Sequence, residues 1–145
     1  MAHAAVPLAS RKPNIAGRRK IITRGLHLLA GSSVTTKSEA LTLFRKFADR
    51  SPIPLGKLRA ELIPDSSWKR AGEVLGPSAA QTVGRLAYSL AFATRTWQNE
   101  ADAIDWLLGP HMELGGATPF SLLRTESGGR AVEYIMAALE YGFPV

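Results

Sequence analysis

Apolar residues recur along this chain at spacings of three and four, and helix-start and helix-stop residues punctuate the pattern. Ile21–Ala30 forms a short apolar stretch closed by Gly31. Thr36 and Glu39 have capping-box spacing, and Leu41, Phe44 and Ala48 follow on one helical face. Pro52 and Pro54 end that helix and start another, whose apolar face is Leu55, Leu58 and Leu62. Ile63-Pro64 is the next stop, with Asp65-Ser66 able to cap a helix over Ser67–Val74 that ends before Gly76-Pro77. The longest helix runs from a Ser78 cap to about Thr96, with Val83, Leu86, Leu90 and Ala93 as its stripe. Gly84 lies inside it, where a missing side chain would let another helix approach closely. Asn99 caps a helix over Glu100–Leu108 that Gly109-Pro110 ends. Thr118 caps a short helix with Pro119 at its first position. Ser127 caps the last helix, with Val132, Ile135, Met136 and Leu139 as core face and Gly142 as stop. Alternation of period two is absent over any useful length, so the pattern predicts an all-α protein.

The length of 145 residues fits one domain, or two small ones sharing a core. We expect a basic arm over 1–20, a helical region over 21–97 containing a helix-turn-helix, and a small helical domain over 98–145. The arm holds no acid, and Pro7, Pro13 and Gly17 interrupt any amphipathic targeting helix in it. The chain has no cysteine, which removes disulfides, thiolate catalysis and Cys-ligated zinc and suits a reducing cytoplasm. No apolar run approaches the ~18 residues of a membrane span.

Charge divides the chain. Residues 1–76 carry 14 Lys/Arg against 5 Asp/Glu, and residues 77–145 carry 4 against 7. A basic half suits a polyanion, and the other half needs a different kind of partner. Within the basic half, Leu55–Val74 reads as helix, tight turn, helix. Its second helix would offer Ser66, Ser67, Trp68, Lys69 and Arg70 to a DNA groove, with Lys57 and Arg59 holding the backbone. Two packed helices with a solvated charged face would give the same pattern, and Pro64 stands where the turn usually has glycine.

Catalytic signatures are missing. His3 lies in the arm and His27 on an apolar stretch; His111 and Glu113 form an H-x-E without the cysteines a zinc deaminase needs. There is no H-E-x-x-H, G-x-S-x-G or Walker loop, and no strand precedes Gly115-Gly116 or Gly128-Gly129. Asp102 and Asp105 are explained by helix-start charge. We expect a binding protein with no metal, cofactor or catalytic residue.

The segment 101–145 contains an ordered set: Trp106-Leu107, Pro110, Leu114-Gly115-Gly116, Thr118-Pro119, Leu122-Leu123, Thr125-Glu126, Gly129, Val132 and Glu140-Tyr141-Gly142. In order and spacing this resembles the toxin-binding domain of the Xre/MbcA/ParS antitoxin family. Leu58–Trp97 resembles, more loosely, the rest of an Xre-like antitoxin with a divergent helix-turn-helix. The resemblance implies a cognate protein toxin as partner, most often a RES-domain toxin that depletes NAD, whose active-site cleft the antitoxin obstructs. It also implies autoregulation by operator DNA binding as a homodimer within a larger toxin–antitoxin assembly. Carried over, the toxin contacts would be Glu140, Tyr141, Gly142, Phe143, Pro144 and Val145, with Arg124 and Arg130 as polar contacts. Tyr141 and Phe143 form an apolar aromatic tail that needs somewhere to bury itself. His111 stands where the family usually has Asn, Ala117 where it often has Arg, and Ser127-Gly128 where Leu-Gly is frequent, which points to an altered partner specificity. A different class of function fits the same residues: a stand-alone helix-turn-helix regulator whose C-terminal half only dimerises.

Overall fold

A computed structural model of the chain describes residues 36–142. The expected arm over 1–20, the apolar stretch Ile21–Ala30 and the tail residues Phe143, Pro144 and Val145 lie outside the described residues. Seven α-helices appear among the described residues: α1 Lys37–Ala48, α2 Leu55–Leu62, α3 Asp65–Arg70, α4 Pro77–Trp97, α5 Glu100–Leu108, α6 Pro119–Leu122 and α7 Glu126–Tyr141. A 3-10 turn, Met112–Leu114, sits between α5 and α6. None of these helices is long and apolar enough to cross a membrane.

Three of the expected caps form as the residue types dictate. Thr36 Oγ1 accepts from the Glu39 N–H (3.1 Å), Asn99 Oδ1 from the Asp102 N–H (2.9 Å) and Thr118 Oγ1 from the Ser121 N–H (3.1 Å). Each satisfies a donor that the first turn of a helix leaves without an internal partner. Gly142 closes α7 in the left-handed conformation (φ 72°), which costs glycine nothing.

Other starts differ. α7 begins two residues earlier than a Ser127 cap would allow, because Thr125 Oγ1 takes the Gly128 N–H at 3.0 Å and draws Ser127 into the helix. α4 begins at Pro77 with Gly76 as N-cap, since proline pre-sets the helical φ at the first position. Ser78 is therefore helical, and its carbonyl accepts from Thr82 Oγ1 (3.2 Å). α3 is shorter and earlier than the expected Ser67–Val74. Pro64 starts it without a side-chain cap, and the chain turns extended at Ala71, just before Gly72. Val74 instead forms an isolated antiparallel bridge with Thr36.

The core gathers around α4, whose Val83, Leu86, Leu90 and Ala93 are buried as their spacing predicts. α5 lies along it through Ala103, Ile104, Trp106 and Leu107, and α7 through Val132, Ile135, Met136 and Ala138. Leu139 is only half-buried. From the other side α1 inserts Phe44 and Phe47 against Phe120 of α6, with ring centroids 6.4 and 5.2 Å apart. The same junction carries two exposed ion pairs, Lys46–Glu100 at 3.0 Å and a two-pronged Arg50–Asp105 contact at 2.8 and 2.7 Å. The buried apolar side chains before and after residue 98 thus form one continuous cluster. Gly84 does not admit a neighbouring helix: a Cβ built there meets nothing within 4 Å.

Candidate partner-binding surface

The second half of the molecule is organised around the turns that connect α5, α6 and α7. His111 follows the α5 stop and is buried, with its ring stacked on Trp106 at 4.8 Å and its Nε2 2.9 Å from the Trp106 carbonyl oxygen. Trp97 stacks on Trp106 at 5.1 Å, so the three rings make a continuous pile under the 3-10 turn. The His111 backbone ties the turn: its N–H donates to the Ala117 carbonyl, and its own carbonyl accepts from Leu114 and Gly116. Gly115 and Gly116 sit at φ 67° and 85°, a region that side chains resist.

α6 ends against the start of α7 with no room to spare. A Cβ on Gly128 would lie 1.9 Å from the Leu122 carbonyl oxygen. One on Gly129 would lie 2.9 Å from the Arg85 Cδ. Arg85 reaches across from α4 to satisfy the carbonyls this turn exposes. Its Nε donates to Leu123 O (2.8 Å), and its Nη2 to Arg124 O (2.9 Å) and to Thr82 Oγ1 (3.0 Å). Burial lowers the Arg85 pKa, and the nearby Glu126 charge opposes that shift. The arginine is a clamp built from α4 for the α6–α7 corner.

The outward side of α7 carries Arg130, Tyr134, Ala137 and Tyr141 at spacings of four, three and four, opposite Val132, Ile135 and Met136. Tyr134 is 66% exposed, among the few large apolar side chains left in solvent. Arg130 Nη1 donates to Glu126 Oε1 at 2.7 Å along the helix. Between α4 and α7 runs an open groove lined by Gln81, Arg85, Glu126, Gly129, Arg130 and Glu133. Burial pushes the Glu133 carboxyl above the usual carboxylate range, against the pull of Arg130. Burial, and then the Glu133 charge, push the Tyr88 phenol on α4 up to about 12.

The residues expected to touch a toxin occupy unequal positions. Arg124 and Arg130 are exposed, Tyr141 is half-buried and Gly142 is exposed at the helix end. Glu140 is a correction: it faces inward, 1% exposed, and its Oε2 accepts from Thr96 Oγ1 of α4 at 2.9 Å. It lies four residues past Met136 on the inner side of α7, so helical geometry turns it away from solvent. Phe143, Pro144 and Val145 lie outside the described residues.

The helix-turn-helix residues are also divided. Lys57, Ser66, Lys69 and Arg70 are exposed, while Ser67 and Trp68 are half-buried. Arg59 is not free to hold a DNA backbone. It is 9% exposed, donates from Nη1 to Ile63 O (3.0 Å) and from Nη2 to Asp65 (2.6 Å), and stacks on Trp68 at 5.2 Å. The Pro64 turn brings α3 back over α2, and Arg59 fills the angle between them.

Tyr134, Glu133 and Arg85 escaped the sequence reading. Tyr134 could have been found from its position opposite the core stripe. Arg85 could not, since the carbonyls it holds lie 38 and 39 residues away.

Helices joined by glycine-tight corners, with an exposed aromatic and charged face on the last of them, make up this half of the described structure. Residues 92–142 match the family described as the antitoxin Xre/MbcA/ParS C-terminal toxin-binding domain. The matched segment takes in the end of α4, all of α5 and α6, and α7 through Gly142, and it supports an antitoxin role with a cognate toxin as partner. A comparison with curated proteins gave no match.

Proposed function

We propose that this chain is the antitoxin of a toxin–antitoxin pair and that it neutralises a RES-type, NAD-depleting toxin by obstructing its active-site cleft. The observation that carries the reading is the coincidence of the matched toxin-binding segment, 92–142, with a helix whose outer face presents Arg130, Tyr134 and Tyr141. The segment Tyr141–Val145 would enter the cleft. Removing Tyr141–Val145 is expected to release toxicity when toxin and antitoxin are co-expressed, while the full chain protects. Unchanged growth with the truncated chain, beside a toxin that arrests cells alone, would falsify the tail's part.

The α2–α3 unit supports a second partner, operator DNA, bound by a homodimer of this chain. Lys57, Ser66, Lys69 and Arg70 are the exposed groups that would meet phosphates and bases. Gel shifts of operator fragments across a salt series test this, because phosphate contacts weaken with rising salt. No sequence-specific shift near physiological salt would leave the toxin as the sole partner.

A further inference from the structure

The matched segment begins at residue 92, yet the groove beside α7 is built equally from Gln81 and Arg85, upstream of it. Its polar groups are unevenly satisfied. Arg85 is committed to Leu123 O, Arg124 O and Thr82, and Arg130 to Glu126. Glu133 has neither an ion pair nor a hydrogen bond among the described residues, although it is half-buried at the groove wall. A half-buried carboxylate loses hydration, which disfavours its charged form, and the pull of Arg130 offsets this only in part. The next residue, Tyr134, stands 66% exposed on the adjoining outer face. A carboxylate awaiting a donor next to an exposed tyrosine is the complement of a basic side chain: the carboxylate takes the charge and the ring packs its stem. The groove's own charges balance, Arg85 and Arg130 against Glu126 and Glu133, but both arginines are already held, and residues 77–145 carry 4 Lys/Arg against 7 Asp/Glu.

We propose that the toxin docks on this surface through an arginine or lysine seated in the α4–α7 groove against Glu133, with Tyr134 as the aromatic anchor beside it. The inference rests on the antitoxin reading above and extends the toxin contact beyond residues 92–142 to Gln81 of α4. The groove then selects which toxin is held.

The test uses the full chain and the purified product of the adjacent reading frame, first shown to arrest growth when expressed alone. Binding is followed by calorimetry at several salt concentrations. Glu133→Gln is expected to weaken binding about tenfold and to flatten its salt dependence, Glu133→Lys to weaken it further, and Tyr134→Ala to weaken it tenfold or more. Val74→Ala, a comparably exposed apolar site outside the matched segment, serves as control and is expected to bind like the wild type. Circular dichroism checks that each variant is folded. Wild-type affinity and salt slope in folded Glu133 and Tyr134 variants would overturn the groove while leaving the antitoxin reading intact. A wild-type chain that does not bind the toxin overturns both. Variants that lose self-association but keep the toxin assign the surface to a second copy and overturn the proposal.

Discussion

Two adjacent glycines in α7 do opposite things to their surroundings. Gly129 yields its side-chain space to the methylenes of Arg85, and a flexible arginine could shift by a fraction of an ångström. Gly128 faces the Leu122 backbone carbonyl, which cannot move without displacing α6. Gly128→Ala is therefore expected to destabilise the protein by about 3 kcal/mol or more, measured by urea unfolding, while Gly129→Ala costs less. Equal effects would mean that the corner is softer than its geometry implies. At Glu133 the expectation runs the other way. Burial raises its folded pKa above the ordinary 4.5, so the folded state disfavours the ionised form at neutral pH. That penalty is present above the raised value and is relieved as pH falls through it toward 4.5. Glu133→Gln should thus be more stable than the wild type at pH 7, with the gain shrinking below about pH 4.5, where both side chains are neutral. Urea midpoints at the two pH values check it, and a gain independent of pH would rule out ionisation as the cause. Together with the docking proposal this makes Glu133 a group kept at some cost to the fold.

At the scale of single helices, the legible parts were those decided by neighbours three and four residues apart. The α4 stripe, the Thr36, Asn99 and Thr118 caps and the Gly142 stop are local choices between a side chain and the next turn of backbone. Two local rules competed at the starts of α4 and α7. Pro77 outranked Ser78 because proline pre-sets the helical φ at the first position, and Thr125 outranked Ser127 because its oxygen meets the free Gly128 N–H in the folded turn. α3 ended early for a related reason: its last residues were claimed by pairing with the strand-like entry at Thr36. Gly84 is the clearest helix-scale test. It has helical neighbours on both sides, and open space where a Cβ would stand. Gly84→Ala should raise stability by up to ~1 kcal/mol, read as a higher urea midpoint. A loss of stability would mean that the added methyl meets more than the open space seen there.

Over the whole molecule, the aromatic junction decides whether the basic and acidic parts unfold together. Phe120 is buried between Phe44 and Phe47, so the short helix α6 of the toxin-binding segment is also part of the α1 core. Phe120→Ala should cost about 3–5 kcal/mol. It should also speed hydrogen exchange in α1 and α5 together, since both lean on the same ring cluster. Protection kept in α5 and lost only in α1 would show two independent units. The two ion pairs at this junction are exposed and add little by comparison.

By itself the sequence determined that the chain is all-helical, where most helices begin and stop, that its charge is split, and that its last third resembles a toxin-binding domain. These follow from periodicity, capping chemistry and ordered motifs, all carried by residues close together in the chain. Tertiary structure alone decided which polar groups remain for a partner. Arg59 and Glu140, both plausible contacts in sequence, are used up by Asp65, Ile63 and Thr96. Glu133 and Tyr134, which the sequence reading passed over, are left facing the groove and the solvent side of α7. Availability is settled by which distant groups reach a side chain first, and that depends on how helices pack, not on spacing along one of them.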